Sequence, residues 1–470
     1  MTNLHRGAAC IGTSCAVEDL QFHFTVWYEN LDLDELARVY GDELIDRLAF
    51  HVALFQLNAV CSLRPDVIEL GPWARWLTPE LAALWQTVFR NVWGQWRWEH
   101  DLPDYLPQFA DAPHAAPPPA RVPDGPTELL AFCGGGKDSL VALKLLERAQ
   151  LPFATLGYAH SIYGGAAHQH ALLDRVGGAS ARVRAERQWI YDDFLDSPVI
   201  ELHGARLGVK SLLAAETPAS LFAALPLALA RGYRGLVLAH EASANAENLI
   251  WTRDADRKLR AEGALASSPQ ESERINHQWG KSWEAEQLLD SYVRAHLLAN
   301  VRYFSVLAPV HDEVIFELLA RDGELAPLTH SCNLNKPWCG DCAKCAYVWL
   351  QFAAHLPADV VARTFGDNFG ERPGNARHFE ELLGLAEHTP FECVGSAPES
   401  RLALALARDK GALGPRLAAL AARCGAIDVP ELARPLVALG DPHGMPAHVA
   451  AAVMPVLADA AAAAAKRLAG

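Results

Sequence analysis

The chemistry this chain can do is concentrated in a few short runs. The sharpest is Phe132-Cys133-Gly134-Gly135-Gly136-Lys137-Asp138-Ser139. Consecutive glycines let a backbone turn tightly and aim several N–H groups into one concavity. A helix after the turn adds the positive end of its dipole, so the run reads as a cradle for phosphate. Lys137 supplies a cation, Ser139 a hydroxyl and Asp138 a carboxylate suited to Mg²⁺. A second run, Cys332-x6-Cys339-x2-Cys342-x2-Cys345, has the close spacing of a four-thiolate metal site, with Gly340 permitting the knuckle. Four thiolates with no open position point to structural zinc, an iron–sulfur cluster being the alternative. The remaining cysteines of the ten are scattered, so no disulfide framework is expected.

Three polar segments complete the set. His240-Glu241-Ala242-Ser243-Ala244-Asn245 follows an expected strand end, where Glu241, Ser243 and Asn245 would face a nucleotide or substrate. Asn276-His277-Gln278-Trp279-Gly280-Lys281-Ser282-Trp283 is dense in hydrogen-bond donors. Pro390-Phe391-Glu392-Cys393-Val394-Gly395 sets a lone thiol beside a carboxylate. His277, Lys281 and Cys393 are the candidate proton carriers, with Lys137 and Asp138 the catalytic groups of the loop.

The elements that must position these runs are legible from periodicity. Leu20, Phe22, Phe24, Val26 and Tyr28 alternate as a half-buried strand. Thr78 and Pro79 open a helix whose stripe is Leu81, Leu84, Trp85, Val88, Phe89 and Val92. Past residue 126 the rhythm becomes strand–loop–helix: strands at 128–133, 153–158 and 235–239, helices at 139–149 and 221–230. That alternation predicts an α/β fold with a parallel, doubly wound sheet. The Pro-rich stretch at 112–126 predicts a spacer. The expected organisation is an N-terminal α+β domain at 1–111, a linker at 112–126, a catalytic domain at 127–400 carrying the cysteine module (332–345), and an Ala-rich helical extension at 401–470.

Lys+Arg 41 against Asp+Glu 56 gives a net charge of −15, which repels a nucleic-acid backbone and argues against tRNA thiolation. Uninterrupted apolar stretches stay short of a membrane span and no leader pattern stands at the start, so the expectation is a cytoplasmic protein without a membrane partner.

The glycine run is not a Walker loop, because Ala131 stands at the first glycine position and Asp138 follows the lysine. It resembles the SGGKDS loop of the PP-loop ATP pyrophosphatases, an adenine nucleotide α-hydrolase-like fold, and the cysteine layout resembles that of 7-cyano-7-deazaguanine synthase. The ordered set GGGKDSL, HEASAN, NHQWGKSW with Glu284 and Glu286, SCNLN…WCGDCAKCAYVW and HTPFECVG is similar to the MurL family of ATP-dependent UDP-N-acetylmuramoyl-L-alanyl-L-glutamate epimerases over roughly residues 20–400. The resemblance implies ATP, Mg²⁺ and structural Zn²⁺, with a UDP-muramoyl-dipeptide or another peptide as substrate. It implies adenylation of a C-terminal carboxylate, inversion of its α-carbon, and release of AMP and pyrophosphate. The six-residue gap after Cys332 and the extension past Arg401 depart from the expected pattern. Capture of the activated carboxylate by an amine is the rival outcome, and a specialised-metabolite peptide the rival substrate.

Overall fold

The computed structural model describes residues 1–195, 197–200, 202, 215–253 and 271–469. Its centre is one eight-stranded sheet built from β1 (Asn3–Gly7), β2 (Cys10–Val17), β3 (Leu20–Tyr28), β4 (Leu129–Cys133), β5 (Phe153–His160), β6 (Arg184–Asp192), β7 (Gly235–Leu238) and β8 (Arg302–Ser305). The spatial order is β1-β2-β3-β6-β5-β4-β7-β8. From β6 to β8 every pairing is parallel, and β1 to β3 form an antiparallel meander joined to β6 with Trp27 opposite Trp189. The parallel strands β4 and β7 are apolar almost throughout because helices cover both faces. Chain order reverses between β4 and β7, so the loops after those two strands part and leave a crevice at the carboxyl edge. GGGKDS and HEASAN are those two loops.

One face carries α1 (Asp42–Gln56), α2 (Pro79–Val92), α5 (Glu216–Arg231) and α6 (Trp283–His296). The other carries α3 (Lys137–Arg148), α4 (Ala166–Gly178), α7 (Asp312–Arg321), α8 (Ala343–His355) and α10 (Ala447–Leu468), with α9 (Ala397–Asp409) packed on α8. Strand residues divide accordingly: Leu130 points into the first core, Leu129 and Ala131 into the second. Thr78 caps α2 by accepting from the Leu81 N–H at 3.1 Å, and all six stripe residues are buried. Four of the six tryptophans between Trp73 and Trp98 are buried in this first core.

Three features bear on the expected organisation. Within residues 1–111 the meander β1–β3 joins the central sheet through β3 and β6, and Phe24, Ile45 and Phe50 share a core with Phe222 and Leu289, while Val67–Ile68 and Gln108–Phe109 pair as a small separate ribbon. The Pro-rich segment is strapped down: Arg47 donates to Pro117 O and Pro118 O at 3.1 and 3.2 Å, and Ala120 exchanges backbone bonds with Leu297 and Ala299 at 2.8 Å. Among the described residues two helices, Asp42–Leu63 and Ala447–Leu468, are by length and composition alone apolar enough to cross a membrane, and the apolar window of the first is 78% buried in the protein. The Ala-rich tail is helical, and α10 buries Val449, Val453, Leu457, Ala460 and Ala464 at helical spacing.

Candidate functional site

The loop after β4 is shaped by contacts that leave no room for side chains. Gly135 has φ +84°, and a Cβ there would sit 2.1 Å from Cε1 of His330, whose own N–H bonds the Gly135 carbonyl at 2.8 Å. A Cβ at Gly136 would lie 2.9 Å from Ser331 Oγ. Ser139 folds back to accept the Gly134 N–H at 3.1 Å. Helix α3 starts two residues earlier than its periodicity implies, which places Lys137 in the first turn and buries it. Its ammonium meets Asp138 at 2.5 Å, contacts Asp312 at the head of α7, and lies 3.7 Å from Glu241. Burial alone would lower the Lys137 pKa, but Asp138, Asp312 and Glu241 hold it well above its ordinary value. Burial and Asp312 push the Glu241 carboxyl well up.

Three carboxyl groups surround one ammonium, and one oxygen from each lies within 4.8 Å of the others. Glu241 Oε2 is buried without a hydrogen bond among the described residues. This donor set fits a divalent cation of the hard, oxygen-seeking kind. Asp312 was not anticipated because β8 is only four residues long, yet it occupies after β8 the place that Glu241 takes after β7.

None of Glu241, Ser243 and Asn245 lines either of the cavities below: Glu241 sits with Lys137, Asp138 and Asp312, and the other two are engaged elsewhere. Ser243 donates to Glu399 at 2.7 Å, and Glu399 also accepts from the Asp312 and Ser396 N–H groups at 3.0 and 2.6 Å. Burial would raise the Glu399 carboxyl; His311, Ser243 and the Ser396 N–H bring it down to about 2. Asn245 accepts the Trp283 N–H at 2.8 Å and bonds Ala242 O, tying the loop to the start of α6. Both side chains therefore hold the frame around Asp312.

The cradle opens into a cavity of about 260 Å³ lined by Gly134, Gly136, Asp138, Ser139, His330 and Cys393. A second cavity of about 120 Å³ adjoins it, sharing Tyr163, Glu216, Lys281, Asn333 and Cys393 and adding His277. So the three expected proton carriers, drawn from segments more than a hundred residues apart, do converge. His277 and Lys281 both hydrogen-bond the Cys393 sulfur. Burial alone would raise that thiol, but Lys281 and His277 outweigh it and bring it down to about 6. In turn burial would lower Lys281, which Cys393, Asp138 and Glu241 hold above its ordinary value. Cys393 is fixed from behind: Lys344 Nζ donates to its carbonyl, and Gln278 donates to Val394 O at 2.8 Å. A Cβ at Gly395 would lie 2.1 Å from the Tyr347 hydroxyl, which itself bonds Asp312.

The four cysteines come together as their spacing implies. Cys332 and Cys342 sulfurs are 4.0 Å apart, Cys339 and Cys345 sulfurs 3.8 Å, and all four lie within 4.8 Å. A tetrahedron with metal–sulfur bonds of about 2.3 Å has edges of about 3.8 Å. The Leu334, Asn335, Asp341 and Cys345 N–H groups each approach a sulfur at 3.4 Å. Gly340 (φ +78°) turns the knuckle, and a Cβ there would strike Arg372. The chain on either side of Cys332 supplies His330, Ser331, Asn333 and Lys336 to the larger cavity, so this module is one of its walls.

A glycine-lined anion cradle opening onto an acidified thiol, at the switch point of a parallel sheet, is the layout of an α/β enzyme. A family model described as the MurL C-terminal domain matches residues 328–422, and one described as the MurL N-terminal domain matches residues 261–306. Three relatives carry the name UDP-N-acetyl-alpha-D-muramoyl-L-alanyl-L-glutamate epimerase. The protein of Salinispora tropica is 29% identical over 70% of this chain and 66% of its own length; that of Micromonospora sp., 29% over 69% and 67%; that of Xanthomonas oryzae pv. oryzae, 30% over 70% and 67%. The chain thus spans about two thirds of the length of these relatives, and it belongs to the MurL family.

Proposed function

We propose that this protein is an ATP-dependent epimerase that adenylates the terminal carboxylate of UDP-MurNAc-L-Ala-L-Glu and inverts the glutamyl α-carbon from L to D, releasing AMP and pyrophosphate. The observation that carries the reading is that the glycine cradle and the Cys393 thiol line one cavity. The names of the relatives support the substrate.

A free carboxylate makes its α-hydrogen very weakly acidic, because deprotonation sets a second negative charge beside the first. Attack of the carboxylate on the α-phosphorus of ATP expels pyrophosphate and gives an acyl-adenylate, which removes that charge and turns the carbonyl into an electron sink; after inversion water cleaves the acyl–phosphate bond, freeing AMP and the D-glutamyl carboxylate. The N–H groups of Gly134–Gly136 and the head of α3 hold the phosphates. Mg²⁺, bound by Asp138, Glu241 and Asp312, would neutralise charge on them. Lys137 keeps those three carboxylates together and adds its own charge to the departing pyrophosphate. Cys393 is a thiolate at neutral pH and takes the α-proton. Lys281 and His277 touch that sulfur, so they set its acidity; Lys281 and Asn333, both on the cavity wall, are donors for the developing enolate oxygen. Ser243, Asn245 and Asn276, polar residues of the neighbouring runs, have side chains engaged in the surrounding frame. Zn²⁺ in the cysteine module would fix the wall that carries His330 and Lys336.

The test is incubation with ATP, Mg²⁺ and UDP-MurNAc-L-Ala-L-Glu, with chiral analysis of the glutamate and assay of AMP and pyrophosphate. D-glutamate at unchanged product mass, abolished in Lys137→Met together with pyrophosphate release, supports the reading. ADP in place of AMP, or a product whose mass shows capture by an amine, refutes it.

A further inference from the structure

Inversion with opposite-face protonation needs two proton carriers, one on each side of the α-carbon. His277 and Lys281 are four residues apart in the chain and both bond the Cys393 sulfur, so they stand with Cys393 and leave the other face to another group. Glu216, at the first turn of α5, lines both cavities, as does Tyr163 in the turn after β5. Tyr163 donates its hydroxyl to Glu216 Oε2 at 2.9 Å, while Glu216 Oε1 is buried with no hydrogen bond among the described residues. Tyr158 also hydrogen-bonds the carboxyl, so two tyrosines hold it and Oε1 is the oxygen with no bond of its own among the described residues. Neither residue belongs to the glycine loop or the cysteine module; Tyr163 faces Cys393 and Glu392, and Glu216 faces Lys281, in the shared cavity.

Resting on the function proposed above, we propose that Glu216 is the catalytic acid that protonates the α-carbon on the face opposite Cys393, with Tyr163 as its positioning residue. The Cα–H bond breaks as its proton passes to the Cys393 sulfur, and the electron pair moves into the activated carbonyl. The Glu216 O–H bond then breaks as its proton forms the new Cα–H bond. Cys393 is left as a thiol and Glu216 as a carboxylate, and proton exchange with water restores both. Burial supports this role by raising the carboxyl pKa, against the pull of Tyr163, Tyr158, Lys336 and Lys281, the groups that face it. A carboxylic acid kept protonated in an enclosed site is a competent donor.

The experiment compares wild type, Glu216→Gln and Tyr163→Phe in D₂O with ATP, Mg²⁺ and UDP-MurNAc-L-Ala-L-Glu. In Glu216→Gln, AMP release and deuterium entry into recovered L-glutamate persist, while D-glutamate falls about 100-fold or more, the usual cost of losing a general acid. Removing the Tyr163 hydroxyl withdraws a bond that favours the ionised carboxylate, so the alkaline limb of D-glutamate formation moves to higher pH. D-glutamate at the wild-type rate in Glu216→Gln overturns the assignment, and so does joint loss of exchange and inversion. Should that variant fail to fold, an unmoved alkaline limb in Tyr163→Phe overturns it alone. Wild type that forms no D-glutamate would instead sink the function proposed above.

Discussion

Replacing Lys281 by methionine keeps the length of the side chain and removes its charge. Cys393 sits at about 6 against an ordinary thiol value of 9.0, and among the groups that lower it Lys281 is the strongest. With the ammonium gone, burial is opposed chiefly by His277, and the thiol returns toward its ordinary value or above. At pH 7 a thiol of pKa about 6 is roughly nine-tenths thiolate and one of pKa about 9 roughly 1%, a fall of about 90-fold in the reactive form. If the thiolate is the base, α-proton exchange at pH 7 falls by about that factor, and most of the loss is recovered as the pH rises toward about 9. The assay is deuterium incorporation at the α-carbon across pH, paired with iodoacetamide alkylation of Cys393 followed by mass spectrometry. AMP release gives the check that the variant folds and binds ATP. An acid limb that stays where wild type has it, in both readouts, would show that Lys281 does not set the thiol. Exchange that survives Cys393→Ala would remove the thiol from the chemistry altogether.

Other consequences are equally concrete. Gly135→Ala forces a side chain into the His330 ring at a positive φ and should cost about 2 kcal/mol or more and stop pyrophosphate release, whereas Gly134→Ala, with nothing within 4 Å, should unfold at the wild-type temperature. Metal analysis should find one zinc per chain; a strong chelator, or Cys345→Ser, should release it and raise KM for ATP before the sheet unfolds, because the knuckle abuts Gly135 and Gly136. Glu399 is depressed to about 2 from 4.5, so its ionisation contributes about 3 kcal/mol at pH 7, present above about pH 4.5 and lost as pH falls toward 2. Urea titrations should therefore show Glu399→Gln destabilised at neutral pH, with the gap to wild type closing in acid.

What could be read in advance was whatever the chemistry writes into adjacent residues. GGGKDS declares itself because one loop must supply glycines, cation and carboxylate together, and the cysteine trio because a tetrahedral cluster constrains spacing. Strand β3 and helix α2 were legible because each buries a single face, leaving a clean period of two or of 3.6. Strand β8 was not, since Arg302-Tyr303-Phe304-Ser305 is too short to display a period, and missing it hid Asp312. The partner of β3 was hidden for a related reason: alternation along β3 shows that one face is buried but carries no record of which strand lies alongside, and here that strand is β6, some 160 residues on.

The proton-transfer half of the site illustrates the limit more sharply. His277, Lys281 and Cys393 were singled out as reactive residue types, and each taken alone has an ordinary surface or core explanation. What makes them chemistry is that Lys344 and Gln278 pin the Cys393 backbone so that its sulfur meets both the other groups inside a shared cavity. Glu216 carried no signal at all, being one acid ahead of Thr217 and Pro218 at a helix start, where acids are common for dipole reasons. Only its burial, its bond from Tyr163 and its place on both cavities separate it from a cap. The proposed phosphate cradle is thus a local property of the chain and shows in the sequence, while the proposed two-sided proton transfer is a property of opposed walls, which the fold must assemble before any residue in them acquires a role.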